Sequence, residues 1–181
     1  MRNKKQNIVT LIKEDHKLLL KDIQVLLKDG AKPHERKSSL LSFLRNLKLH
    51  AEAEEMSLYQ NEQHEKALRS SVLEAFVEHA LAETLSRTLE KQNLSNEVSE
   101  DVMAKGRVLA ELVKHHIEEE ETKFLVKLRK VENDERLQEL GHLYLQAKLQ
   151  LQSGFQGARE PGGLQDSTVT SSSSEERGHP Q

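Results

Sequence analysis

Four histidines of this 181-residue sequence, His16, His50, His79 and His116, sit among apolar residues at helical spacing. His16 is flanked by Val9, Ile12, Leu19 and Ile23, and His79 follows Val72 and Phe76. His50 has Phe43, Leu47 and Leu58 at −7, −3 and +8; His116 has Leu109, Val113 and Phe124 at the same offsets. Such offsets return to one helix face, so the imidazoles point to the apolar side. Three of them carry a glutamate one turn on: Glu54, Glu83 and Glu120. Isolated carboxylates in an apolar core would cost several kcal/mol each, so their convergence with imidazoles calls for a compensating cation.

The donor set limits which cation. There is no cysteine, which removes thiolate sites, disulfides, iron–sulfur clusters and cysteine nucleophiles together. Mixed imidazole and carboxylate ligation suits iron, manganese or zinc, and carboxylates shared by two ions favour a dinuclear iron or manganese site. Pairing of His with Glu at +4 is weak evidence alone, because the run Glu118 to Glu121 supplies two of the four such pairs. His115 with Glu119 is the alternative to His116 with Glu120, but its +8 neighbour is Lys123 and its −4 neighbour Glu111. Glu83 either ligates through oxygen or faces solvent. His34, His64 and His179 stand in polar or turn-like surroundings, and His142 forms a lone Glu139-Leu-Gly-His unit.

Helices must bring these residues together. Apolar residues at three- and four-residue steps predict a first helix from Ile8 to Lys28, stopped by Gly30 and Pro33. A second runs from Pro33 to the polar stretch Gln60 to Lys66. A third is capped by Ser70 and Ser71 and fades at Asn93 to Asn96. A fourth starts at Ser99, with Glu100 and Asp101 facing its dipole, and carries an apolar stripe to Leu128. Asn133 to Glu135 open a short fifth helix through Leu137, Leu140, Tyr144 and Ala147. Each long helix is apolar on one side, so the expected fold is all-α, an up-down-up-down four-helix bundle. His16 to His50 spans 34 residues and His79 to His116 spans 37, one hairpin spacing used twice. At ~1.5 Å per residue from the flanking turns, all four imidazoles fall at a similar level.

Composition agrees with helices: 31% charged, 35% hydrophobic, 3% aromatic, 8 Gly and 3 Pro. Residues 1–152 form the predicted domain. Beyond Gln152, the Gly, Pro and Ser content, including Ser171 to Ser174, predicts a disordered tail over 153–181. The net charge of −3 with both signs interspersed, and no aromatic platform, argues against nucleic acid. Apolar runs of three or four residues and a polar start, Met1 to Gln6, argue against a membrane span or signal sequence and for a cytoplasmic protein. Neither a Ser-His-Asp arrangement nor a glycine-rich phosphate loop is visible, so hydrolases and nucleotide binders are disfavoured.

In order along the chain, Ile12-Lys-Glu-Asp15-His16, Leu49-His50-Ala-Glu-Ala-Glu54-Glu55 leading to Leu58-Tyr59, Glu78-His79, and His116-Ile-Glu-Glu-Glu120-Glu121 leading to Phe124 resemble the hemerythrin-like HHE cation-binding family. Leu140-Gly141 and Ala147-Lys148 resemble its C-terminal helix. The resemblance implies a hemerythrin-like bundle around an oxo- or hydroxo-bridged di-iron centre, with His16, His50, His79 and His116 as terminal ligands and Glu54 and Glu120 as bridges. The family's oxygen carriers have a second His on the third helix and an Asp five residues after the fourth-helix His; here Glu83 and Glu120, each at +4, stand in those roles. An oxygen-richer site should favour ferric iron and bind dioxygen less reversibly. The expected function is binding or sensing of oxygen, nitric oxide or peroxide, or handling of iron. A di-iron hydroperoxidase or ferroxidase, and a metal-free helical adaptor, are the alternatives.

Overall fold

The computed structural model describes residues 6–92 and 98–157, with side chains to 153. Among these residues the chain is all helical. Helix α1 (Ile8–Leu27) begins where the Asn7 side chain accepts from the Thr10 amide at 3.0 Å, and a turn with Gly30 at φ 72° follows it. That left-handed backbone suits a residue without Cβ. Helix α2 (Pro33–Glu54) starts on a proline, whose missing N–H has no helical partner to lose there, and Glu35 accepts from the Lys32 amide at 3.2 Å. It runs on through a π-helical turn, Glu55–Tyr59, into Gln60–Glu62. Helix α3 (Arg69–Glu90) has Leu68 at its N-cap, so Ser70 and Ser71 lie inside the first turn instead of capping it.

Helix α4 (Glu100–Glu119) is capped by Ser99, which accepts from the Val102 amide at 3.3 Å. It too passes through a π-helical turn, Glu120–Phe124, before Leu125–Val131. Helix α5 (Asp134–Gly157) is not short: it has 24 residues and extends past Gln152, where composition places the start of the tail. Its apolar face explains the length, because Leu137, Leu140, Tyr144 and Ala147 are buried and Leu151, one turn on, still packs against the same cluster. The tail beyond Gly157 and the fade of the third helix at Asn93 to Asn96 lie outside the described residues. No helix among the described residues is long and apolar enough to cross a membrane.

The four long helices close a bundle in which α1 packs on α2 and α4, and α3 packs on α4; α2 and α3 share the loosest seam. Helix α5 lies outside this ring, against α1, α2 and the first π-turn. The core comes in two apolar halves. One gathers Ile8, Ile12, Tyr59, Val72, Phe124 and Leu140; the other gathers Leu19, Ile23, Phe43, Leu89 and Leu109. Between them lies a layer of buried polar side chains at mid-height.

Two contacts seat α5. Arg136 donates from Nη2 and Nε to the buried Glu62 Oε1 at 2.8 and 3.2 Å. Gly141 crosses the start of α1 so closely that a Cβ there would lie 2.9 Å from the Gln6 carbonyl oxygen, 3.0 Å from the Ile8 nitrogen and 3.1 Å from the Asn7 carbonyl carbon. Those are backbone atoms, which cannot step aside alone. Gly141→Ala should therefore destabilise the bundle by about 1–3 kcal/mol, the usual cost of overpacking, seen as a lower thermal midpoint. An unchanged midpoint would show that α5 is not held this tightly.

Candidate metal centre

The polar layer consists of His16 from α1, His50 and Glu54 from α2, His79 from α3, and His116 with Glu120 at the end of α4. All six are between 0 and 6% exposed. Their donor atoms form two overlapping groups. His16, His50, Glu54 and Glu120 each place one atom within 4.8 Å of the others, and so do Glu54, His79 and His116. Glu54 belongs to both. His16 Nε2 lies 3.1 Å from Glu120 Oε2, His50 Nε2 lies 3.3 Å from Glu54 Oε2, and the two Nε2 atoms of His79 and His116 face each other at 3.3 Å.

These atoms lack hydrogen-bond partners where they most need them. His16 Nε2, His50 Nε2, Glu54 Oε1 and Glu120 Oε2 are fully buried without one, and they are one atom from each member of the first group. A buried polar atom normally has a well-aligned partner, and here the nearest neighbours are the other donors, His16 Nε2 beside Glu120 Oε2 and His50 Nε2 beside Glu54, so four clustered donors without an aligned hydrogen bond fit a missing cation. Nitrogen and carboxylate oxygen are the right donors for it.

The outward nitrogens show how the imidazoles are aimed. His16 Nδ1 meets Glu121 at 2.9 Å, His79 Nδ1 meets Glu55 at 3.0 Å, and His116 Nδ1 meets Glu78 at 2.7 Å. His50 Nδ1 meets the Tyr144 hydroxyl at 3.1 Å; that hydroxyl donates to Asp15, which also accepts from Lys148 at 2.6 and 2.7 Å. An acceptor at Nδ1 keeps the proton there and leaves the Nε2 lone pair facing inward, the tautomer a metal ligand requires. Tyr59, wholly buried against the rings of Phe76, Phe124 and His79, brings its hydroxyl 3.0 Å from Glu120 and 3.3 Å from Glu54.

The charges in the layer are unequal. Burial opposes a charged imidazole, yet Glu120 and Glu121 beside His16 hold it above its ordinary value. Burial pushes His50 down to about 4, with the charge of His16 adding to the effect. Burial, with the charges of Glu120 and Asp15, raises the Glu54 carboxyl well above the usual range. Glu120, equally buried, is held low by His16 and the other imidazoles around it. The two carboxyls are thus pushed in opposite directions, Glu54 away from its charged form by burial and Glu120 toward it by the imidazoles, and a cation between them would favour the charged form of both.

The six residues above are brought together, but Glu83 is not among them. It is exposed on α3 and pairs with Arg87 at 2.6 Å. Of the two readings that its spacing allows, ligand or solvent-facing, the structure places it on solvent. Four residues turn an α-helix by about 40° past a full revolution. On α2 and α4 that drift leads into the layer; on α3 it leads out to the α2 seam. His115 also faces outward, 64% exposed, beside Glu119. Spacing gave no role to Tyr59, Tyr144, Lys148 or the outer acids Asp15, Glu55, Glu78 and Glu121, although all of them stand in the segments named above. The acids had a signal: in both hairpins the first helix carries acid-His and the second His-x-x-x-Glu-Glu. Tyr59 entered only as the end of the motif from His50, with no role given to it, because it reaches Glu54 through the five-residue repeat of the π-turn.

Single substitutions test the arrangement. Glu54→Ala and His116→Ala should each cut bound cation by about half or more, as loss of a direct ligand does, while Glu83→Ala and His115→Ala should leave it unchanged. Metal analysis after dialysis reads the result. Equal loss in His115→Ala would mean that α4 is rotated from the position described.

A family model, Hemerythrin HHE cation binding domain, matches residues 7–128. No curated protein and no solved structure is significantly similar to the chain. The matched span runs from the cap of α1 to the last buried leucine of α4 and contains all six residues of the layer. An inward-facing imidazole on each of four helices, carboxylates between them and a match over that whole bundle lead to one conclusion: this chain belongs to the hemerythrin HHE cation-binding domain family.

Proposed function

We propose that the buried layer holds two iron ions and that the loaded centre binds or senses a small ligand, namely dioxygen, nitric oxide or peroxide, or handles iron itself. The observation that carries this reading is the set of four orphaned donor atoms on His16, His50, Glu54 and Glu120, with Glu54 shared by the neighbouring group of His79 and His116. In this reading His16, His50, Glu54 and Glu120 hold one ion, and Glu54, His79 and His116 the other. A carboxylate common to two groups favours iron or manganese over zinc. Iron held there supplies a redox-active Lewis acid able to take an exchangeable ligand. A metal-free adaptor would leave the orphaned atoms and the two core carboxylates without compensation.

The protein's own part is access and proton control. A narrow pocket of about 30 Å³ reaches from Ser71, Glu74 and Lys123 at the surface to Tyr59, His116 and Glu120. That is room for at least one water-sized group, which suits a diatomic or peroxide ligand. The hydroxyl of Tyr59 keeps its proton, since burial and the charges of Glu120 and Glu54 raise it well above the ordinary phenol value. A proton held 3.0 Å from Glu120 also favours the second reading, a hydroperoxidase or ferroxidase, because either would need a proton source at the centre.

Three measurements test these readings. Iron-loaded protein should show visible absorption that shifts on adding azide or nitric oxide; a colourless, unresponsive protein would refute ligand binding at iron. Steady loss of hydrogen peroxide with pure iron-loaded protein would favour the enzyme over the sensor. Acidification should also release the cation. His16 is the imidazole whose proton affinity is raised, by Glu120 and Glu121 beside it, so as pH falls through the imidazole range a proton competes with the metal there. Metal retention measured across that range checks the sign: affinity that rises with acid would contradict imidazole ligation.

A further inference from the structure

The run His115-His116-Ile-Glu-Glu119-Glu120 holds the His-x-x-x-Glu pair twice, offset by one residue. Adjacent residues stand about 100° apart round a helix, so one copy faces the buried layer and the other turns toward the seam with α3. On α2 the outer copy is missing, with Leu49 and Ala53 at the places of His115 and Glu119. That helix supplies its half of the layer without it, so the bundle itself does not require the outer pair.

Glu78 of α3 completes a group with this pair. Glu78, His115 and Glu119 each place one donor atom within 4.8 Å of the other two. His115 Nε2 and Glu119 Oε2 lie 3.9 Å apart, too far for a hydrogen bond but within the span of two bonds of about 2.0–2.2 Å to one ion. The imidazole is 64% exposed and can turn to close the remaining distance to Glu78. Lys123 bonds Glu119 at Oε1 and leaves Oε2 facing His115, while Lys127 is turned to the Ser71 hydroxyl at 3.3 Å. An imidazole with two carboxylates is a donor set for a divalent transition metal, where a patch of acids alone would not select one.

A second observation is where the group stands. Glu78 and Glu119 line the narrow pocket of about 30 Å³ whose inner wall is His116 and Glu120. Glu78 also meets His116 Nδ1 at 2.7 Å, so one carboxylate separates the outer group from a residue of the layer. Glu74 lines the same mouth, and three carboxylates against Lys123 draw cations to it.

We propose that Glu78, His115 and Glu119 form an outer cation site that takes ferrous iron from solution and delivers it through this pocket to the buried layer. Delivery rests on the reading of the layer as an iron centre; binding at the outer group does not. Three protein ligands, one of them largely exposed, hold the ion loosely enough to exchange. Metal retained after dialysis is therefore that of the layer alone.

Zinc is the probe for binding, because nitrogen and oxygen donors hold it more tightly than ferrous iron. Calorimetric titration of the dialysed, iron-loaded full chain should show one zinc ion per chain, with a dissociation constant on the order of 10–100 μM. His115→Ala, which leaves the core packing intact, and Glu119→Gln should each weaken that step about tenfold or more. Glu83→Ala, which removes an exposed acid elsewhere on α3, should not. Ferrous iron added to metal-free protein should fill the layer about tenfold more slowly in His115→Ala than in the parent, to the same final content, as read by the visible band of the loaded centre. No zinc step, or one that survives both His115→Ala and Glu119→Gln or falls equally in Glu83→Ala, would overturn the outer site. Equal loading rates would overturn delivery. A parent that takes up no iron would contradict the iron reading of the layer, and delivery with it, while the difference in zinc bound by parent and His115→Ala would still decide the outer site.

Discussion

Two carboxylates and four imidazoles in one dry layer across an apolar core form the interaction on which the rest of this bundle depends. Burying an uncompensated carboxylate costs several kcal/mol, more than any single contact nearby returns. Relief within the chain is partial: burial holds the Glu54 carboxyl well above its ordinary value, Glu120 leans on His16 at 3.1 Å, and His50 Nε2 and Glu54 Oε1 have no hydrogen-bond partner. The lysines that come near stop at the outer acids, Lys13 at Glu121 and Lys148 at Asp15. No ammonium enters the layer among the described residues, and a metal ion is the group whose charge and geometry match what is missing.

The architecture follows from holding that layer in place. Each hairpin contributes acid-His from its first helix and His-x-x-x-Glu-Glu from its second, and the outer acids brace imidazoles across helices. Glu55 of the π-turn after α2 reaches His79 of α3, Glu121 of the π-turn after α4 reaches His16 of α1, and Glu78 of α3 reaches His116 of α4. The two π-turns begin within these Glu pairs, at Glu55 and at Glu120, and Leu58 with Tyr59 and Phe124 with Leu125 are all buried below the layer. The fourth brace breaks the symmetry. Asp15 lies 3.8 Å from His50, and Tyr144 from α5 stands between them, which makes the outer helix part of the site's support. Gly141 is the condition for it, since only a residue without Cβ lets α5 cross α1 at that distance.

Much of this could be read in the sequence, because its strongest signals are periodic. The apolar offsets around His50 and His116 repeat, so helix faces and a common level followed from 3.6-residue geometry alone. What escaped was whatever depends on departures from that period or on contacts between helices. Tyr59 sits five residues from Glu54, outside any α-helical rule, until a π-turn brings it back. Glu83 has the same +4 spacing as Glu54 and Glu120, yet the corresponding position after His16 is Leu20, only partly buried. The +4 position is inward on the second helix of each hairpin and outward on the first, a difference of packing that spacing does not encode. The length of α5 was hidden by composition, since Leu151 continues its buried face into a segment whose later residues read as tail.

If burial of this layer is possible only with cations, metal and stability must move together. The most direct measurement is metal content per chain beside the thermal midpoint, taken on protein loaded with ferrous iron and again after chelation. The expected result is two ions per chain and a midpoint that falls when they are removed, because a ligand bound only by the folded state stabilises it. Less than about half an ion per chain, with the same midpoint before and after chelation, would contradict a metal-centred core.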